Sequence, residues 1–237
     1  MRLVFLGPPG AGKGTQAQML RQRNGWLHLS SGDILRAEVK AGSALGRKAG
    51  SFMEAGKLVP DELIVDLMVD RVTRPDCQNG FILDGFPRTA AQAEALDKSL
   101  SSRSVVLDAV VYFTCGDAEV LRRITGRRSC PQCNAIYHVQ TLKPKVEGAC
   151  DKCQAALVQR KDDSEAVVAE RLAAYRRQTE PLIEYYRSRG LLRQVDGTQS
   201  IEATDREVTG LLNAAAAKDN KCSSGSQGGS CCRCKKT

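Results

Sequence analysis

The feature that most restricts how this chain can fold is GPPGAGKGT, Gly7 to Thr15, which follows the apolar run Leu3-Val4-Phe5-Leu6 and precedes a helical pattern from Gln16 to Arg23. A strand, then G-x-x-x-x-G-K, then a helix makes a phosphate cradle. Its glycines let backbone N–H groups converge on an anion, Lys13 neutralises charge, and the helix N-terminus adds its positive dipole end. A plain glycine-rich turn is the other reading; the lysine and the helix behind it speak against that.

Such a cradle implies a sheet beside it, and the chain supplies one. Apolar runs of strand character lie at 2–6, 26–29, 80–83, 107–113 and 191–195. Helical patterns fill 14–23, 33–41, 44–55, 61–74, 90–99, 117–126, 164–178, 181–189 and 201–213. The alternation predicts an α/β fold, a doubly wound parallel sheet of five strands with ligands at the strands' carboxyl ends. Two stretches interrupt it: a helical excursion at 30–59, and a small lobe at 126–163 rich in Cys, Lys and Pro. One domain over 1–213 with these two insertions is expected. The Ser, Gly, Lys and Cys of 214–237, Cys222, Cys231, Cys232 and Cys234 among them, read as a disordered basic tail.

Composition narrows the function. The net charge of +8 invites a nucleic-acid reading, but 214–237 alone carries +4 and the rest is spread over more than 200 residues. A small polyanionic substrate fits that balance better than a duplex does. No apolar run reaches the roughly 18 residues of a membrane helix, and MRLVFLG lacks the pattern of a secretory signal, so a cytoplasmic protein without a membrane partner is expected.

Three further stretches carry chemistry. LSSGDILRAEVKAG, Leu29 to Gly42, starts a helix with Ser and an Asp33 in the first turn, and aims Arg36 toward an anion; GKLVPDEL, Gly56 to Leu63, follows it. FILDGFPRTAAQ, Phe81 to Gln92, reads as a buried strand presenting Asp84 at its carboxyl end, where it can orient Mg²⁺ or its waters beside phosphates. Gly85 allows close approach of a substrate, and Arg88 stands just beyond. RRITGRR puts Arg123 and Arg127 one helical turn apart, and Arg160 and Arg171 add positive charge farther on.

Cys130-Pro-Gln-Cys133 and Cys150-Asp-Lys-Cys153, separated by 16 residues, fit a zinc spacing. Four thiolates fill a tetrahedral Zn²⁺ and leave no open position, so the metal would be structural; a redox pair or free thiols is the other reading. The lobe is too small to fold on an apolar core, and metal binding would supply its folding energy. His138, inside the lobe, is expected to pack and not to ligate.

Gly14 follows Lys13, which moves the hydroxyl on to Thr15, and GxPGxGKGT together with these stretches closely resembles the adenylate kinase family of nucleoside monophosphate kinases, from Met1 to about Leu212. The resemblance implies that Gly10, Ala11, Gly12, Lys13, Gly14 and Thr15 hold ATP, with Arg123, Arg127, Ile136, Tyr137 and the backbone near Gln199. It assigns 30–59 as the AMP-binding arm and 126–163 as a zinc-binding lid over ATP. AMP falls to Ser31, Arg36, the backbone of Lys57, Leu58 and Val59, and Gly85, Phe86 and Pro87, with Arg88 on its phosphate and Gln92 on its adenine edge. Arg160 and Arg171 serve the moving phosphoryl group and AMP. Lys13, Arg88, Arg123, Arg160 and Arg171 thus form the implied catalytic set, and Asp162 and Asp163 pair with arginines across the closing lid. Departures are Ser31, a Thr in many members, and Thr114-Cys115, where members tend to carry an acidic residue near the nucleotide.

The residues favour a reaction driven by charge alone. A phosphate acceptor is already ionised at neutral pH, so no His or Glu need remove a proton. The expectation is direct in-line transfer from MgATP to AMP giving two ADP, with Zn²⁺ in the lid and a monomeric chain. The nearest alternative is another nucleoside monophosphate kinase, of GTP:AMP or UMP/CMP type; a zinc-ribbon nucleic-acid-binding protein is the remote one.

Overall fold

Leu3 to Leu6 are at most 3% exposed, because both faces of their strand are covered. The computed structural model describes residues 1–223, with side chains through residue 216. Its elements run β1 (Arg2–Leu6), α1 (Lys13–Asn24), β2 (Leu27–Ser30), α2 (Ser31–Ala41), α3 (Ala44–Glu54), α4 (Asp61–Val72), β3 (Phe81–Asp84), α5 (Ala90–Ser101), β4 (Ala109–Thr114) and α6 (Asp117–Thr125). The lid strands β5 (Arg127–Ser129) and β6 (Ile136–His138) follow, then α7 (Glu165–Ala174), α8 (Leu182–Ser188), β7 (Leu192–Asp196) and α9 (Ile201–Ser223).

The main sheet has the order β2-β3-β1-β4-β7, every pair parallel, with Leu3 beside Ile82 on one side and Ala109 on the other. The expected five-stranded parallel sheet is present. Side chains alternate between its faces. Val4, Leu6, Leu83 and Val110 enter one apolar cluster; Leu3, Phe5, Ile82 and Phe113 enter the other. Phe5 and Phe113 meet edge to face at 5.0 Å. Two helices leave this platform under side-chain caps: Ser30 accepts from the Asp33 N–H to start α2, and Thr89 from the Gln92 N–H to start α5.

The excursion at 30–59 consists of α2 and α3. In the lid, β5 and β6 form an antiparallel hairpin, and Ser129 bridges on to Val158. Two expectations are corrected. The helix expected over 164–178 ends at Ala174 and passes into a π-helical turn, Tyr175–Thr179. The last helix does not end at 213 but runs to Ser223, because Ala214 to Ala217 are the strongest helix formers and Ala215 packs at 7% exposure. Residues 224–237, with Cys231, Cys232 and Cys234, lie outside the described residues. No described helix is long and apolar enough to cross a membrane.

Candidate active site

The cradle sits where β1 ends. A Cβ on Gly7 would come within 2.4 Å of the Phe113 carbonyl oxygen, so only glycine lets the loop turn this close to β4. The Lys13 ammonium donates to the Gly7 and Pro8 carbonyls at 2.8 and 2.7 Å, which leaves one N–H for a phosphate oxygen. Burial lowers its pKa to about 8; Asp84 pulls it up, while Arg88 and Arg171 add to the lowering.

Asp84 ends β3 beside this lysine and lies 3.2 Å from His28 Nε2 of β2, a partner the sequence reading did not single out. Burial opposes its charged form, yet His28, Lys13 and Arg88 hold its carboxyl below the ordinary range. A carboxylate held anionic beside a phosphate cradle suits Mg²⁺ or its water shell. Gly85 follows in the left-handed region at φ +78°, where a Cβ would meet Arg88 Nη2 and Ser31 Oγ at 2.8 Å each. Its carbonyl accepts from Arg88 Nε at 2.8 Å and from the Ser31 hydroxyl at 2.6 Å, which ties the α2 start to the arginine.

Arginines converge above these groups. Arg171 pairs with Asp162 at 3.0 Å and Asp163 at 3.6 Å, and Arg127 makes a two-point pair with the fully buried Asp163. Arg160 approaches Asp33 at 3.9 Å, and Arg36 pairs with that carboxylate one turn along α2. Arg123 bonds Glu119 and the Gly197 carbonyl, the latter at 2.7 Å. Burial lowers the pKa of Arg160 and of Arg171 to about 10, and neighbouring arginines add to both shifts. Burial lowers Arg88 as well, with Arg36 contributing. Like charges gathered out of water repel one another until an anion joins them.

Gln92 lies at the wall of the arm, 3% exposed. Its Oε1 accepts from the Arg88 N–H and its Nε2 donates to Asp61, both at 2.7 Å. Thr179, on the π-helical turn, donates to the Arg88 carbonyl at 2.9 Å and fixes that residue from the other side.

In the lid the four cysteine sulfurs all lie within 4.8 Å of one another, with Cys130–Cys153 at 3.4 Å and Cys133–Cys150 at 3.5 Å. The edge of a tetrahedral zinc–thiolate site is about 3.8 Å for Zn–S bonds of about 2.3 Å, so the four sulfurs can hold such an ion. Although burial opposes it, hydrogen bonds from Tyr137 and the Lys152 and Cys153 N–H groups draw the Cys150 thiol down to about 6. His138 is used up by the backbone: Nε2 lies 3.2 Å from the Arg122 carbonyl, and Nδ1 accepts from the Gln140 and Thr141 N–H groups. It packs and does not ligate.

Two cavities meet over the carboxyl ends of the strands. The larger, about 660 Å³, is lined by the cradle from Gly10 to Thr15, by Asp84 and Pro87, by Arg123, Arg127 and Arg160, and by Ile136, Tyr137 and Gln199. The smaller is lined by Ser31, Lys57, Leu58, Val59 and Gln92. Gly85, Arg36, Arg88 and Arg171 line both. Of the site residues expected from sequence, Phe86 lines neither; at 1% exposure it belongs to the core behind the arm. Tyr137 lines the larger cavity with its hydroxyl turned to the sulfurs, 3.6 Å from Cys150 Sγ and accepting from the Asp151 N–H at 2.8 Å. His28, Asp61 and Thr179 were not singled out, since their roles depend on partners 56, 31 and 91 positions away.

A model of the family described as adenylate kinase matches residues 5–191. The adenylate kinase of Moorella thermoacetica is 55% identical over 203 residues, covering 86% of this chain and 94% of that protein. Those of Archaeoglobus fulgidus and Acetivibrio thermocellus are each 50% identical, over 90% of this chain and 98% of their own length.

Proposed function

The chain belongs to the adenylate kinase family, and from that membership we propose how this ATP:AMP phosphotransferase moves the terminal phosphoryl group of MgATP to AMP to give two ADP. MgATP occupies the larger cavity with its phosphates on Gly10 to Thr15, and AMP the smaller with its phosphate toward Arg36 and Arg88. The observation that carries this reading is the sharing of Arg36, Arg88 and Arg171 by the two cavities, so that both phosphate chains reach one set of cations.

The acceptor oxygen attacks in line on the γ-phosphorus; the bond to the bridging oxygen breaks and ADP leaves with its electron pair. Lys13, Arg88, Arg123, Arg160 and Arg171 hold the charge that spreads over the phosphoryl oxygens in transit. Asp84 orients the Mg²⁺ that adenylate kinases use with ATP. Gln92 meets the adenine edge of AMP. Ile136 and Tyr137 cover ATP from the lid, and closure of lid and arm excludes water from the phosphoryl group. The four cysteines hold Zn²⁺ as the lid's structural core. One copy carries the whole cleft, which supports a monomer as the working unit, and four cysteines at zinc spacing support a cytoplasmic setting.

A matrix of nucleoside monophosphates and triphosphates, read by diphosphate formation, tests the assignment. AMP with ATP should give the highest kcat/KM. Preference for UMP or CMP as acceptor, or GTP as donor, would move the chain to the neighbouring kinase types.

A further inference from the structure

The amide of Gln92 is held in one orientation. A backbone N–H can only donate and a carboxylate can only accept, so with Oε1 on the Arg88 N–H and Nε2 on Asp61 Oδ1, turning the amide over would set donor against donor and oxygen against oxygen. Asp61 is itself fixed. Its other oxygen accepts from the Thr89 hydroxyl at 2.8 Å, and that hydroxyl accepts from the Gln92 N–H at 3.2 Å. Asp61 opens α4 and Thr89 caps α5, so the arrangement joins two helices to the base of the arm-side cavity. Gln92 keeps one amide N–H and one lone pair of Oε1 unspent.

We propose that Asp61 is a specificity-determining positioning residue: by locking the Gln92 amide it makes the acceptor site take a purine with a 6-amino donor and an N1 acceptor, and refuse one with a 6-oxo group and an N1–H. The inference rests on the placement of the acceptor base against Gln92 proposed above. Adenine meets the locked amide with its amino N–H toward Oε1 and N1 toward the free Nε2–H. Hypoxanthine would set O6 against Oε1 and N1–H against Nε2–H, two repulsive pairings in a buried place. Without Asp61 the turned amide meets one conflict, with the Arg88 N–H, in place of two, and hypoxanthine gains a pairing that the intact lock denies it. Asp61 acts through Gln92 and touches no nucleotide.

The test is the dissociation constants of AMP and IMP, which share a phosphate and a ribose, for the wild-type chain, Asp61→Ala, Gln92→Leu and the double variant, each with a melting curve. Asp61→Ala should reduce the IMP-to-AMP ratio at least about tenfold. In the Gln92→Leu background the same change should leave that ratio within about twofold. An unaltered ratio in Asp61→Ala, or an equal shift in both backgrounds, overturns the proposal. A wild-type ratio in Gln92→Leu alone would overturn the placement of the base instead. Should Asp61→Ala fail to fold, Thr89→Val removes the hydroxyl that aligns Asp61, and it must lower the ratio in the same direction, by less, for the proposal to stand.

Discussion

Lys13 follows a strand whose residues Leu3 to Leu6 are at most 3% exposed, whereas the lid that shares its cavity has an apolar cluster of only Cys130, Ala135, Tyr137 and Cys150, with Ala155 and Leu157 against them. The cradle is placed by burial on both faces of a parallel sheet. The lid is placed by its four sulfurs and a short hairpin. The difference divides the labour: Lys13, Asp84 and Arg88 are held by the sheet, while Arg127 and Arg160 ride on a lobe with little apolar core, the part that the proposed mechanism closes over the nucleotides.

If that division is right, the largest losses come from the platform. Arg88→Ala should lower kcat/KM by about 10²–10³-fold with little change in melting temperature, because the cation lines both cavities and, in the proposed mechanism, holds the acceptor phosphate. Near-normal turnover in that variant would remove Arg88 from the acceptor site and blur the distinction between platform and lid.

Next in size is a pH effect on the cradle. With the Lys13 pKa lowered to about 8, the free protein loses the ammonium as pH rises through that value. kcat/KM for MgATP should therefore fall about tenfold between about pH 7 and 9, whereas kcat, measured with phosphates bound, holds to higher pH. Lys13→Arg should abolish that fall, whatever its absolute rate. The folding consequence has the opposite sense: the folded pKa lies below the ordinary lysine value of 10.5, so the unfolded chain binds more protons between these values, and the cost of burying the lysine is relieved as pH rises through that window.

The smallest effect on rate belongs to the lid metal. Chelation, or Cys150→Ser, should lower the melting temperature clearly while activity well below the transition stays within about threefold, since a closed four-sulfur site offers no position to substrate. Loss of catalysis in a lid that remained folded would break the contrast from the other side.

Much of this was legible in the residues. GPPGAGKGT and the alternation of apolar runs and helical patterns placed the cradle and the five strands, because hydrophobic periodicity and glycine turns are local signals. The spacing of Cys130, Cys133, Cys150 and Cys153 likewise foretold the sulfur tetrad, a cluster closed within 24 residues. What local pattern could not carry were pairings across the fold. His28 reads as an ordinary strand residue until β2 pairs with β3 and sets it beside Asp84. Asp61 reads as a favourable first-turn acid of α4 until α5 brings Gln92 to it. The π-helical turn at Tyr175 escaped for another reason: Arg176, Arg177 and Gln178 within it are good helix formers, and only the backbone shows the widened turn that carries Thr179 to Arg88. At the other end, composition overruled propensity in the reading of 214–217, where alanines prolong α9.

The central claim is that a phosphoryl group passes from one nucleotide to the other with no covalent stop on the protein. The stereochemistry at the γ-phosphorus tests it most directly, using ATP made chiral there by isotopic labelling, AMP as acceptor and the configuration of the new β-phosphoryl group of ADP as the readout. A single in-line displacement predicts inversion. Retention would require two displacements through a phosphorylated side chain, and would contradict the account.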